Sequence, residues 1–339
     1  MRSILHPQGY HGLYQKPPFF EGWFYKCVDA SGRHRLAIIP GIALHQDPDQ
    51  DHAFIQILDG TNGRSLYHRF PINRFKAHPL HLDQQIDANR FDQQGITLDI
   101  KTPEWLVQGK LSFGPFTPWP VSLCSPGIMG WYAWVPFMEC YHGVVSLDHD
   151  LSGSLNLNGQ EIDFSHGRGY IEKDWGRSFP HAYIWLQSNH FSLTGTSFMA
   201  SVAIIPWLRS SFPGLIIGLY HQHRLYRFAT YTRAMLEDLE ISDQEILLQI
   251  RDRRHRLYVR AQAATTGLLH APTQQGMLGR IAETLSGKIF LRLSRIGKEQ
   301  PILEQTGLHA GIDAAGDLQA LLKLYHRSRK SANRLCSRV

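Results

Sequence analysis

Gly169-Tyr170-Ile171-Glu172-Lys173-Asp174-Trp175-Gly176, closed by Phe179-Pro180, places two carboxylates and a cation within three positions, between aromatic residues and glycines. As a β-strand it alternates with a period of two, so Tyr170, Glu172 and Asp174 share one face and Lys173 and Trp175 the other. Same-face neighbours lie ~6–7 Å apart along a strand. In an apolar cavity such a carboxylate pair tends to share a proton, and one member can then act as a Brønsted acid near neutral pH. Lys173 must point away for this to hold, because a cation beside the pair would favour both ionised forms. The competing reading is a solvated Glu-Lys-Asp turn, since charged residues ordinarily face water.

The sequence on both sides of this stretch is also strand-like. Phe19-Phe20-Glu21-Gly22-Trp23-Phe24-Tyr25-Lys26 is aromatic and β-prone, and Arg35-Leu36-Ala37-Ile38-Ile39-Pro40 reads as a short buried strand. Residues 53–58 and 65–70 flank Asp59-Gly60-Thr61-Asn62-Gly63, a hairpin loop. Further strands are predicted near 96–100 and 105–113. The second half repeats this order. Trp175 answers Trp23, Ala203-Ile204-Ile205-Pro206 answers Ala37-Ile38-Ile39-Pro40, and Leu225-Tyr226-Arg227-Phe228 answers Leu66-Tyr67-His68-Arg69-Phe70, at offsets of 152, 166 and 159 residues. Three matches in one order predict a duplication. Ile246, Leu248 and Ile250 alternate up to a charged turn, and Leu257, Val259 and Ala261 alternate back. Residues 275–285, with Met277, Leu278, Ile281 and Leu285 on one face, form the one good helix candidate. The predicted fold is therefore all-β: two tandem β-barrel domains over 1–165 and 166–326, few short helices, and a basic tail over 327–339. Barrels remove exposed strand edges, and one of about eight strands can hold a small ligand.

The 339 residues allow two cores, and eight Trp, thirteen Tyr and seventeen Phe suit turn-rich β-domains around an apolar ligand. The four cysteines have no metal-site spacing and read as reduced thiols of a cytoplasmic protein. The net charge of +6 falls to +1 once the five Lys/Arg of 326–339 are set aside, which argues against nucleic acid as a partner. That basic end predicts a disordered tail, with weak peripheral contact to anionic membranes as its functional alternative. No run reaches the ~20 apolar residues of a membrane-spanning helix.

Gly130-Trp131-Tyr132-Ala133-Trp134-Val135-Pro136-Phe137-Met138-Glu139-Cys140-Tyr141-His142 is the most unusual composition in the chain. As a strand it would point Trp131, Phe137 and Glu139 one way, and Tyr132, Trp134 and His142 the other. It reads either as core packing or as an aromatic-lined cavity ending in an acid or an imidazole. Glu21 beside Trp23 raises the same question, since burial in an apolar site keeps a carboxyl protonated. His221-Gln222-His223 falls at a predicted hairpin turn without a third ligand, so no metal is expected. No GxSxG, Walker loop or GxGxxG follows a strand, which argues against a serine nucleophile and against nucleotide cofactors.

Phe20-Glu21-Gly22-Trp23-Phe24, Glu172-Lys173-Asp174-Trp175-Gly176 with Phe179-Pro180, Trp185-Leu186-Gln187-Ser188-Asn189, Ala271-Pro272-Thr273 and Ile302-Leu303-Glu304 together resemble the tocopherol cyclase family. The resemblance runs in order through nearly the whole chain. It implies a calycin-like fold of two lipocalin-like barrels and an intramolecular lyase or isomerase that needs no cofactor. Such an enzyme closes a chromanol ring on a prenylated hydroquinone by protonating an alkene and capturing the cation with the phenol oxygen. The alternative on the same fold is a non-catalytic lipid- or isoprenoid-binding protein. Residue types in the matching motifs make Glu172 or Asp174 the acid, with Glu139 and Glu21 as further candidates. Glu21 or His142 would accept the phenol proton. Trp131, Trp134 and Trp175 would face the cation, and Trp23, Tyr170 and Trp185 would line the apolar substrate site. Plant members of the family usually have Asn in place of Asp174, which makes Glu172 the preferred acid.

Overall fold

The computed structural model describes residues 3–136, 138–207 and 210–336. Apolar residues at every second position, cut by Gly, Pro, Asn and Asp turns, produce two antiparallel sheets. In the first, β1 (Phe19–Val28), β2 (Arg35–Leu44), β3 (His52–Asp59) and β4 (Ser65–Pro71) are successive hairpins. Next come β5 (Phe75–Ala77), β6 (Asp83–Ile86), β7 (Asn89–Asp92), β8 (Gly95–Lys101) and β9 (Leu106–Phe113). The sheet is completed by β10 (Cys140–Leu157), β11 (Gln160–Asp163) and β12 (Gly167–Gly176). Its order is β4-β3-β2-β1-β12-β10-β9-β8-β7-β6-β5, with β11 on β10. Ile55 and Ile57 of β3 share one buried cluster with Ile86 of β6 and Phe91 of β7. The sheet therefore curls until strands near both of its ends wall the same core, as a barrel does.

The second sheet contains β13 (Ala182–Ser188), β14 (Ser197–Trp207), β15 (Ser210–His221), β16 (Arg224–Ala229) and β17 (Met235–Ile241). It continues with β18 (Glu245–Arg251), β19 (His255–Gln262), β20 (Thr266–Thr273), β21 (Gly276–Arg295) and β22 (Pro301–Gly316). The order is β16-β15-β14-β13-β22-β21-β19-β18-β17, with β20 on β21. This is the first sheet's plan again: four hairpin strands, the last strand of the set, a long strand, then the remaining hairpins. Ala37-Ile38-Ile39-Pro40 and Ala203-Ile204-Ile205-Pro206 lie on the equivalent β2 and β14, and the Leu-Tyr matches on the equivalent β4 and β16. The duplication read from sequence thus has its counterpart in strand order. The tryptophan match does not. Trp23 and Trp175 sit on the adjacent strands β1 and β12 of one sheet.

The chain forms two compact units, Met1–Phe179 with Thr266–Ile281, and Pro180–Thr265 with Ala282–Val339. The boundary expected at 165/166 falls inside the first unit, because β12 pairs with β1 and β10 on either side. The helix expected over 275–285 is instead strand: Leu278 is exposed, and Ile289, Leu291 and Leu293 alternate into the core. The helix-like spacing arises because exposed Leu278 and half-buried Ile281 are apolar without facing the core. The extended reading of 130–142 is also corrected. Gly130–Trp134 is a 3-10 turn, with Gly127 and Gly130 at φ 75 and 57, values that end a strand. Phe137 lies outside the described residues. The basic tail begins within α1 (Leu318–Cys336), whose Leu321 and Tyr325 are buried in the second core. Tyr325 donates to the Glu237 carbonyl at 2.6 Å, and the tail expected to be disordered is helical through Cys336; its last three residues lie outside the described residues. Among the described residues no helix is long and apolar enough to cross a membrane, and Cys27, Cys124 and Cys140 are free thiols.

Candidate active site

Strand β12 lies between β1 and β10, and its alternation separates two sets of charges. Its inward residues Ile171 and Trp175 belong to the first core with Trp23 and Tyr25 of β1. Lys173 also points inward and is fully buried. Its ammonium binds Glu21 Oε1 at 2.6 Å, His11 Nδ1 at 2.6 Å and the Gly9 carbonyl, and lies over the rings of Trp23 (4.8 Å) and Trp175 (4.6 Å). Burial pulls the Lys173 ammonium down to about 8, against the opposing attraction of Glu21. For Glu21, burial alone would raise the pKa, but Lys173 and His11 hold it below the usual carboxylate value. Both carboxylate oxygens accept from the His11 N–H, at 2.9 and 3.0 Å. The expectation of a protonated Glu21 is thereby corrected: it is the anion of a buried ion pair that pins residues 9–11 to the barrel.

The other face carries Tyr170, Glu172 and Asp174. Across β10, His142 is paired in register with Asp174. The Tyr170 hydroxyl donates to Glu172 Oε2 at 2.6 Å, and His142 Nε2 lies 3.5 Å from the same oxygen. His142 Nδ1 meets Asp174 Oδ1 at 2.8 Å. The result is one chain of titratable groups, Tyr170–Glu172–His142–Asp174. Burial alone would lower the His142 pKa, but Asp174 and then Glu172 push it up to about 9. The imidazole is therefore protonated at neutral pH and stands between two carboxylates, a different arrangement from a bare pair sharing a proton. Burial and then Glu172 push the Tyr170 hydroxyl well above its ordinary value. Asp174, with 26 % of its side chain exposed, is the open end of the chain, whereas Glu172 is 5 % exposed.

The surroundings of the open end were not legible in sequence. Gly22 is paired with Asp174 across β1, and a Cβ there would meet nothing closer than 3.6 Å. Phe24 is paired with Glu172, and Cys140 Sγ lies 3.7 Å from Asp174 Oδ1. Phe20, on the same side of β1, packs edge-on against Phe179 at 5.4 Å. Once β1 is known to pair with β12, the alternation of Phe20, Gly22 and Phe24 would have found this face.

Of the expected site residues, Glu172, Asp174, His142 and Tyr170 come together. Trp23 and Trp175 face the core with Lys173, and Trp175 stacks on His11 at 4.2 Å. Trp131 is 45 % exposed and stacks on Tyr132, while Trp134 donates to the Leu123 carbonyl. The Glu139 backbone carbonyl accepts from Arg177 N–H at 2.8 Å. Trp185 belongs to the second unit. His142, Glu172 and Asp174 also offer ligand atoms within 4.8 Å of one another, the spacing of a metal cluster. The two ring nitrogens of His142 face different carboxylates, however, as in a hydrogen-bonded relay. The arrangement suits a proton better than a metal.

A tocopherol cyclase-like family model matches residues 81–316. A probable chloroplastic tocopherol cyclase of Oryza sativa subsp. japonica is 25 % identical over 231 residues, 64 % of this chain and 48 % of that protein. A chloroplastic tocopherol cyclase of Zea mays is 25 % identical over 200 residues, 55 % of this chain and 41 % of that one. The chain thus spans about half the length of the plant relatives it matches. Among solved structures, CghA with Sch210972 superposes at a TM-score of 0.57 and 10 % identity, over 89 % of each chain. A putative AttH from Nitrosomonas europaea follows at 0.51 and 12 %, over 90 % of this chain and 98 % of that one. At such identities these likenesses speak for the fold alone, a two-domain all-β architecture. The family match covers most of the chain, and the chain belongs to the tocopherol cyclase-like family.

Proposed function

We propose that this chain is a cyclase that isomerises a prenylated hydroquinone to a chromanol, with the His142–Asp174 pair as its acid. The observation that carries the reading is the 2.8 Å bond between the protonated imidazole and the partly exposed Asp174 carboxylate, backed by a buried Glu172. The reaction needs one proton delivered to a trisubstituted alkene carbon and one taken from a phenol. Asp174 takes up a proton from solvent at its open end, and a C–H bond forms as that O–H breaks, leaving a tertiary cation and the carboxylate paired with the imidazolium. The phenol oxygen then closes the C–O bond, and its proton returns to the Asp174 carboxylate. Atoms and redox state balance within the substrate. The imidazolium's hydrogen bond to Oδ1 stabilises the carboxylate that remains once the proton has left, which is what an alkene protonation demands. Phe20 and Phe24 offer apolar and aromatic surface near the developing cation.

This reading assigns the acid to the His142–Asp174 pair in preference to Glu172. Glu172 is 5 % exposed and closed off by the Tyr170 hydroxyl and His142, whereas Asp174, 26 % exposed, is the end an arriving substrate can reach. The test is turnover of a phytyl-hydroquinone to its chromanol. Asp174→Asn and His142→Gln should each lose a factor of ~10² or more, while Glu172→Gln loses less than about tenfold. Full activity in both of the first two variants would remove this assignment. Tight binding of the quinol with no chromanol formed by the unmodified protein would leave a binding protein in its place.

A further inference from the structure

The second unit carries a carboxylate that this mechanism does not use. Ala182, Ile184 and Leu186 of β13 point into the second core, as do Ala310 and Ile312 of β22. The intervening Tyr183, Trp185 and Gln187 of β13, and Asp313 of β22, therefore face the other side. These are the strands equivalent to β1 and β12 of the first unit. Each of the four side chains is less than a tenth exposed. Trp185 is paired with Asp313 in register, and its ring lies so close over Gly311 that a Cβ there would stand 2.6 Å from it. Glu283 of β21, 4 % exposed, is paired with Asp313 from the opposite side. Asp313 itself is 4 % exposed. Its Oδ2 accepts from the Tyr183 hydroxyl at 2.6 Å, but its Oδ1 is buried without any hydrogen-bond partner. A buried carboxyl oxygen left so is unfavourable, and a ligand that pairs with it relieves the cost.

We propose that Asp313 is the centre of a second ligand site, in which its neutral carboxyl donates from Oδ1 to a carbonyl or ether oxygen of an uncharged aromatic ligand lying against Trp185. The titratable groups facing it are Tyr183 from β13 and Glu283 from β21. Burial pushes the Asp313 carboxyl up to about 7, although the Tyr183 hydrogen bond opposes the rise. The donor form is then present through the acid side of neutrality. This site goes beyond the cyclase reading and stands or falls without it.

The probe is acetophenone, an uncharged aromatic ketone that accepts hydrogen bonds and donates none, titrated calorimetrically against the full chain. If only neutral Asp313 binds, affinity should fall about 30-fold between pH 6 and pH 8.5 for a group titrating near 7. Asp313→Asn keeps a donor but cannot titrate, so it should bind with a flat pH profile. Tyr183→Phe removes the bond that favours ionisation and should move the fall to higher pH. The same titration on Asp174→Asn locates the site, and should show the unmodified protein's profile. No saturable binding at pH 6, a pH-dependent fall retained in Asp313→Asn, or loss of binding in Asp174→Asn would each overturn the assignment.

Discussion

The two faces of β12 hold the same kinds of residue one position apart and put them to opposite uses. Inward, Lys173 is fully buried and answered by Glu21, His11, a carbonyl and two indoles, so that no proton needs to move. Outward, Glu172 and Asp174 flank a protonated His142, and one end of the series is open to solvent. A charge surrounded on all sides holds the chain together, whereas a charge with an open end can exchange a proton with something that arrives. Burial alone does not separate structural ions from reactive ones, because Glu172 is nearly as buried as Glu21.

The hardest test of that contrast is Lys173→Met. It leaves Glu21 buried without its cation and should cost about 3–5 kcal/mol of stability, read as a lowered chemical-denaturation midpoint. Adding Glu21→Leu should restore most of the loss, since an apolar pair can replace a buried ion pair. A single variant as stable as the parent would mean that the inner set is no anchor.

A smaller effect separates the faces by pH. His142 titrates near 9 in the folded chain and near 6.5 when unfolded, so its folded pKa is raised. Its contribution to stability is then fully present below about pH 6.5 and lost as pH rises through about 9, on the order of 3 kcal/mol in all. His142→Gln should flatten unfolding free energy against pH across that window. Unchanged curvature would show that the imidazole is not charged in place. The smallest effect is expected of Tyr170→Phe, which removes one hydrogen bond to Glu172. About 1 kcal/mol of stability should go. Activity should change by less than tenfold, with the His142 titration moving upward as Glu172 becomes a freer anion.

The alternation of residues 169–176 was legible because a strand's period is fixed by backbone geometry, and it correctly put Lys173 on the face away from Glu172 and Asp174. The Ala-Ile-Ile-Pro repeat was legible because equivalent strands need similar core residues. Pairing was not. Glu21 meets Lys173, and β1 meets β12, across about 150 residues of chain, a distance over which local pattern carries no information. The misplaced domain boundary and the misread Glu21 both come from that. His142 was visible as a residue type, but its two carboxylate partners depend on the register between β10 and β12.

The alternation along β12 also acts as a check on the chain's own assembly. A slip of one residue exchanges the two faces of a strand. Here it would bring Lys173 out against the protonated His142 and drive Glu172 and Asp174 inward beside Glu21, under Trp23. Every charge would then meet its like. The alternating signs of Glu172, Lys173 and Asp174 are in this sense a lock with one key position, and the register that creates the outer proton chain is the register the inner ion pair enforces.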